Sequence, residues 1–138
     1  MLFIFLDIDG VLNTEADWVS PYTLNKECAN NFLCFASLYN SRIILTSTWK
    51  HGYISSNNRN NTNQIKQLEA IFNTKNIRII GKTEDLMSRD IEISKYIIDH
   101  NITKYIILDD DATLFQRSIS HMYFTNSKYG FSKKDIKE

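Results

Sequence analysis

The apolar positions of this chain follow two patterns that take turns. Residues 2–6 (LFIFL), 42–45 (RIIL), 77–80 (IRII) and 104–108 (KYIIL) are short, nearly unbroken apolar runs. Runs of that length, rich in branched and aromatic residues, suit strands buried on both faces. Between them the period changes. From residue 23 to 39, Leu24, Cys28, Phe32, Phe35 and Leu38-Tyr39 recur at helical spacing. Residues 64–72 carry Ile65, Leu68 and Ile71-Phe72 on one side, and residues 85–101 carry Ile91, Tyr96-Ile97 and Ile98. Three helices are predicted. Ser20-Pro21 reads as the start signal of the first, and Asn40-Ser41 breaks its pattern. Gly81 reads as the end of the third strand. A short helix over 112–117, a last strand over 121–125, a turn at Gly130-Phe131 and a charged, frayed or briefly helical tail complete the chain. Residues 55–64 (SSNNRNNTNQ) read as a mobile polar loop.

Strands that alternate with helices predict a parallel sheet. The expected fold is α/β: a three-layer, Rossmann-like parallel sheet of about five strands with helices on both faces. A length of 138 residues fits a single domain over 1–138. Ligands of such sheets bind outside the carboxyl ends of the strands, and the polar clusters of this chain all fall there. Asp7 and Asp9 follow the first strand, Thr46 and Ser47 the second, Asp109 and Asp110 the fourth.

Composition narrows the class. The chain is 43% hydrophobic and 23% charged, ordinary for a soluble globular protein. Lys+Arg and Asp+Glu balance at 16 each, which argues against a large nonspecific electrostatic grip on nucleic acid but leaves room for a local basic groove. No apolar run approaches the roughly 20 residues of a membrane span. The apolar start lacks a basic flank and runs straight into Asp7, so the expectation is a cytoplasmic protein without membrane contact. Cys28 and Cys34, six residues apart on one predicted helix, are expected to be free thiols.

Two pairs of carboxylates on one rim repel each other, by about 4 kcal/mol for like charges ~4 Å apart at an effective dielectric near 20. A cation or raised pKa values must relieve that. Oxygen-only ligands beside a phosphate favour Mg²⁺. Phosphoryl transfer needs a nucleophile, an acid/base, a metal and donors to the phosphoryl oxygens. Asp7 can attack phosphorus. Asp9 can protonate the leaving oxygen and then activate water. Thr46 can hold the phosphoryl group, and Asp109 or Asp110 can hold Mg²⁺ together with Asp7.

The motif Asp7-Ile-Asp9-Gly-Val-Leu-Asn13 resembles motif I of the haloacid dehalogenase (HAD) superfamily. Arg42-Ile-Ile-Leu-Thr46-Ser47 resembles motif II, and Tyr105-Ile-Ile-Leu-Asp109-Asp110 motif IV. The wider set, with T-S-T-W-K and Arg89…Glu92-Ile93, is similar to small HAD domains associated with RNA repair proteins. The resemblance implies Asp7 as nucleophile and Asp9 as general acid/base. It implies Mg²⁺ held by the Asp7 carboxylate, the Asp9 backbone carbonyl and Asp110, which ranks above Asp109. Motif III usually supplies a Lys; here Arg89 is the best match and Lys82 its rival. Neither inter-motif gap is long enough for the folded cap common in the superfamily. Capless members tend to act on large substrates, so a phosphorylated macromolecule such as a nucleic acid end is the expected partner.

Other readings stand beside these. The chain could be a small-molecule nucleotidase or sugar phosphatase, or a noncatalytic phosphate- or partner-binding module. Among the remaining residues, Trp49 is expected to pack, with stacking on a nucleobase left open. Lys50 and Arg59 are expected to be solvated charges, Asp111 a solvated or capping acid, and the three histidines structural or surface residues.

Overall fold

A computed structural model describes residues 1–19, 23–86, 88–111 and 121–137. Five strands form one sheet: β1 (Leu2–Leu6), β2 (Ser41–Leu45), β3 (Arg78–Lys82), β4 (Tyr105–Asp109) and β5 (Met122–Phe124). Their order is β3-β2-β1-β4-β5, and every pair is parallel. Helices α1 (Lys26–Ser37), α2 (Asn63–Asn73) and α3 (Arg89–Asp99) make the three crossovers up to β4. The expected α/β architecture is therefore the observed one.

Strand alternation sorts the core into two layers, because successive side chains point to opposite faces. Leu2, Ile4 and Leu6 of β1 join Phe32 and Leu33 of α1 and Ile65, Leu68 and Phe72 of α2 in the larger apolar cluster. Phe3 and Phe5 face the other way, into a smaller cluster with Ile93 and Tyr96 of α3. So α1 and α2 cover one face and α3 the other. Phe32, fully buried, anchors the larger layer, its ring 5.6 Å from Phe72 and 5.9 Å from Phe131. Burying the apolar stripes of these helices is the main stabilising term, since isolated helices of this length are marginal in water.

Several boundaries differ from expectation, each for a local reason. Helix α1 starts at Lys26, capped by Asn25, whose side chain accepts from the Cys28 amide; Ser20-Pro21 lies outside the described residues. Helix α3 starts at Arg89 rather than 85, because Asp85 is engaged by Lys50 and His51 instead. Strand β3 runs through Gly81 to Lys82, with a register shift opposite Ile43/Ile44. A Cβ at Gly81 would lie 2.4 Å from the Tyr96 hydroxyl oxygen, so glycine admits that ring rather than ending the strand.

The Asn-rich loop is tied down rather than free. Asn61 is buried, its side-chain amide donates to Glu69 at 2.9 Å, and the Asn57 amide donates to the same carboxylate. Short 3-10 turns at Glu15–Asp17, Thr48–Gly52 and Lys133–Lys137 complete the described elements. The predicted helix over 112–117 lies outside the described residues. Cys28 is buried and Cys34 exposed, and both are free. Among the described residues no helix is long and apolar enough to cross a membrane.

Candidate active site

The chain starts at the centre of the sheet, builds outward to β3, and then crosses back to β4. Strands β1 and β4 therefore flank the point where the direction of winding reverses, and the crevice at their carboxyl ends is the natural ligand site. The ladder carries on one residue past the strands. The Asp7 amide donates to Leu108 O at 3.0 Å and the Thr46 amide to Leu6 O at 3.1 Å. This holds the ends of β2, β1 and β4 side by side, with Thr46, Asp7 and Asp109 on one rim.

After Asp7 the backbone closes a tight turn, with the Val11 and Leu12 amides both donating to Ile8 O. Gly10 sits in it at φ +85°, and a Cβ there would lie 2.0 Å from Asp110 Oδ2. Glycine is required twice over, by the dihedral and by the approach of the Asp110 carboxylate. The hydroxyl of Thr125, just past β5, donates to Gly10 O at 2.7 Å and fixes the turn from the far side.

Oxygens of Asp7, Asp109 and Asp110 lie within 4.8 Å of one another. Asp7 is 4% exposed and Asp109 0%. Arg89, the first residue of α3, binds both: Nη1 is 2.9 Å from Asp109 Oδ2 and 3.3 Å from Asp7 Oδ1. Among the described residues one cation faces three carboxylates, which leaves the cluster short of positive charge. Burial, followed by the negative charge of Asp109, holds the Asp7 carboxyl well above the ordinary carboxylate range, with Arg89 pulling the other way. Burial likewise raises Asp110. The Asp7 and Asp110 side chains hydrogen-bond to each other.

The donor set fits a hard divalent cation. It is all oxygen, preassembled, and in need of the charge that such an ion would bring. The two motif IV acids are not equivalent. Both oxygens of Asp109 are engaged, Oδ2 by Arg89 and Oδ1 by the Asp111 amide at 3.0 Å. Asp110 is partly exposed and lines the pocket over the cluster.

The Asp9 carboxylate is not part of the three-acid cluster. Its Oδ1 accepts from Asn13 Nδ2 at 2.9 Å and from Trp49 Nε1 at 3.1 Å. Two donors on one oxygen fix the carboxyl plane and leave Oδ2 for other work. Trp49 is 7% exposed, so it packs as expected, and the stacking alternative is closed. Asn13 is fully buried and uses all of its hydrogen-bonding capacity. Its amide nitrogen donates to Asp9 and to Thr23 O, and its oxygen accepts from the Gly10 amide and from Trp18 Nε1.

Around these acids lies a cavity of about 290 Å³ whose wall includes Ser47, Thr48, Arg89 and Trp18. Ser47 also caps the 3-10 turn that carries Trp49, its oxygen accepting from the Trp49 amide at 3.2 Å. Thr46 is 2% exposed, and its Oγ1 is the one buried side-chain oxygen or nitrogen without a hydrogen-bond partner among the described residues. A buried hydroxyl left unpaired costs stability and calls for an explanation. A phosphoryl oxygen at the rim would supply it.

Of the two basic candidates only Arg89 meets the acids. Lys82 lies on the edge strand, two strands away from β1, and its Nζ donates to the carbonyls of Lys50 at 3.2 Å and Tyr53 at 2.7 Å. It is a tether for the loop after β2, and this corrects its placement as a phosphate ligand. Lys50 is also not the solvated charge expected. It is 3% exposed, and its Nζ reaches Thr83 Oγ1, Glu84 O, Glu92 Oε1 and Asp85 Oδ1. That knot ties the loop after β2 to the segment leading into α3, and so sets where Arg89 begins.

Asn13 and Trp18, both at the site, give no signal of their hydrogen bonding in the chain. Asn13 stood in motif I in plain view, but its four partners are spread over residues 9–23. Trp18 carried no periodic signal, because it follows a short 3-10 turn rather than a helix or strand.

Known proteins add one finding. A family model described as the HAD domain in Swiss Army Knife RNA repair proteins matches residues 3–136. No curated protein and no solved structure matches the chain.

Proposed function

The chain belongs to the family of HAD domains found in Swiss Army Knife RNA repair proteins, and from that membership we propose that it is a Mg²⁺-dependent phosphohydrolase. It works through an aspartyl-phosphate on Asp7 and acts on a phosphorylated nucleic acid end. The observation that carries the reading is the cluster of Asp7, Asp109 and Asp110 at the β1/β4 crevice, its two buried acids bridged by Arg89.

Asp7, the Asp9 backbone carbonyl and Asp110 would hold the ion, with Asp109 oriented behind them by Arg89. When bound, Mg²⁺ offsets the charge of the acids and of the phosphoryl oxygens. The remaining chemistry belongs to side chains. The Asp7 carboxylate attacks phosphorus and forms an acyl-phosphate, and the bond from phosphorus to the ester oxygen breaks. The Asp9 carboxyl gives its proton to that departing oxygen. Asp9, now a carboxylate, takes a proton from water. The oxygen of that water bonds to phosphorus, the bond to Asp7 breaks, and inorganic phosphate leaves with both acids restored. Arg89 steadies Asp7 throughout, and Thr46 and Ser47 donate to the transferring group.

Size supports a macromolecular substrate. Between β1 and α1 the described residues hold a single 3-10 turn, and between β2 and α2 another. Segments of that kind do not enclose a small molecule, whereas a polymer end can close the crevice itself. The test is phosphate release from 3′- and 5′-phosphorylated oligonucleotides beside p-nitrophenyl phosphate, with and without EDTA. Mg²⁺-dependent release with a preference for one oligonucleotide end bears the reading out. Equal turnover of free mononucleotides would favour a small-molecule nucleotidase, and no release from any of them would overturn the reading.

A further inference from the structure

Among the described side chains lining the cavity over the acids, one is neither charged nor a hydroxyl. All the others are carboxylates, a guanidinium or hydroxyls; Trp18 is an indole. Among the described residues, it is not a member of either apolar cluster of the core. The 3-10 turn before it buries none of its residues, and Val19 after it is 72% exposed. The segment thus holds a large aromatic ring at the pocket wall rather than in the core, where burial would be worth most.

The ring is also fixed. Its Nε1 donates to Asn13 Oδ1 at 2.9 Å, and Asn13 is itself locked by Gly10, Thr23 and Asp9. Two hydrogen bonds therefore link the indole to the Asp9 carboxylate. A ring held at a set offset from the acid/base loses little further freedom when a ligand lies against it. The cavity, about 290 Å³, is at the low end for ligand sites and has room for one terminal unit. With Lys+Arg and Asp+Glu equal at 16, the chain has no global basic excess to grip a phosphate backbone, which leaves a place for a non-electrostatic contact to the terminal nucleotide. A base on an aromatic face supplies affinity that tolerates sequence.

We propose that Trp18 is the stacking platform for the nucleobase of the terminal nucleotide, and that through it the site selects base-bearing nucleic acid ends over other phosphate monoesters. This rests on the phosphohydrolase reading above. It makes Trp18 a specificity residue, with Asn13 relaying its position to Asp9.

The test is a ratio. Two phosphorylated oligonucleotides, identical except that the terminal nucleoside carries a base or is abasic, are compared by kcat/KM in wild type, Trp18→Leu and Trp18→Phe. Any disturbance of Asn13 and Asp9 by losing the indole N–H acts on both substrates and cancels. In wild type the base-bearing end is favoured roughly 5- to 100-fold, the range that one base–aromatic stack supports. In Trp18→Leu the ratio falls to about one, mainly through KM, and in Trp18→Phe most of it returns. An unchanged ratio in Trp18→Leu, or no preference in wild type, overturns the proposal while leaving the phosphohydrolase intact. If wild type releases phosphate from neither end nor from p-nitrophenyl phosphate, the underlying reading falls, and this one with it.

Discussion

Trp49 Nε1 donates to Asp9 Oδ1 at 3.1 Å across 40 positions of sequence, and in doing so joins the loop after β2 to the acid that follows β1. Together with Asn13 it leaves the Asp9 carboxyl one orientation. Hydrogen bonds to a charged group are worth about 1.5–3 kcal/mol. Trp49→Phe, which keeps the ring and removes the donor, is therefore expected to lower kcat on p-nitrophenyl phosphate by roughly tenfold or more. KM should change little, because Asp9 acts on the leaving oxygen rather than on binding. Steady-state kinetics check this, and an unchanged kcat would show that Asn13 alone suffices.

Arg89 Nη1 contacts two carboxylates that would otherwise face each other unopposed. Arg89→Ala is expected to cost roughly 10²–10³ in kcat, the scale of removing one preorganised stabilising group. Arg89→Lys should recover part of this. It restores the charge, but on a shorter, flexible ammonium in place of the planar guanidinium that sets Nη1 between the two carboxylates. Equal loss in both variants would mean that geometry, not charge, is what Arg89 contributes.

The site acids set a pH dependence with a definite sign. Asp7, through burial and then the charge of Asp109, and Asp110, through burial, both hold their protons above the ordinary value of 3.8. A carboxyl whose pKa is raised by folding favours the folded state at low pH, and that contribution is lost as pH rises through the raised pKa. Mg²⁺ must displace those protons, so its binding tightens with pH. The gain in melting temperature on adding Mg²⁺ should be larger at about pH 8 than at about pH 5. Differential scanning fluorimetry measures it, and a pH-independent gain would exclude these acids as the ligands.

Lys50 is the buried charge on which the approach to α3 depends. Breaking a buried pair by removing one partner costs about 3–5 kcal/mol. Lys50→Ala leaves Glu92 without its cation and frees the segment before Arg89. It is expected to lower unfolding stability by about 3 kcal/mol in urea titration and to reduce kcat as well. A variant as stable as wild type would show that Thr83, Asp85 and Glu92 hold that segment without it.

These residues also show what could be read from the chain. The strands were legible because LFIFL, RIIL and YIIL are buried on both faces, and such burial writes an unbroken apolar run. The acids were legible because each follows one of those runs directly. Arg89 could be placed by its position near the start of the helix that precedes β4. Lys50 could not, because its burial depends on Thr83, Asp85 and Glu92, more than thirty residues away. The start of α3 is a like case, since Asp85 looks like a first-turn acid until its cationic partners are known, and the pairing of Asn61 with Glu69 follows only from the folded path of the loop between them. Trp18 and Asn13 act through side-chain hydrogen bonds inside an irregular segment, and neither period reports on that.

The most direct test of the account is whether phosphate passes through Asp7. Protein mixed with a phosphoryl-labelled oligonucleotide and Mg²⁺, quenched in acid within a turnover, should carry label on the peptide that contains Asp7, in the acid-stable, base-labile form of an acyl-phosphate. Asp7→Asn should carry no label and release no phosphate. Phosphate release that survives in Asp7→Asn would contradict the account, since the attack on phosphorus would then come from another group.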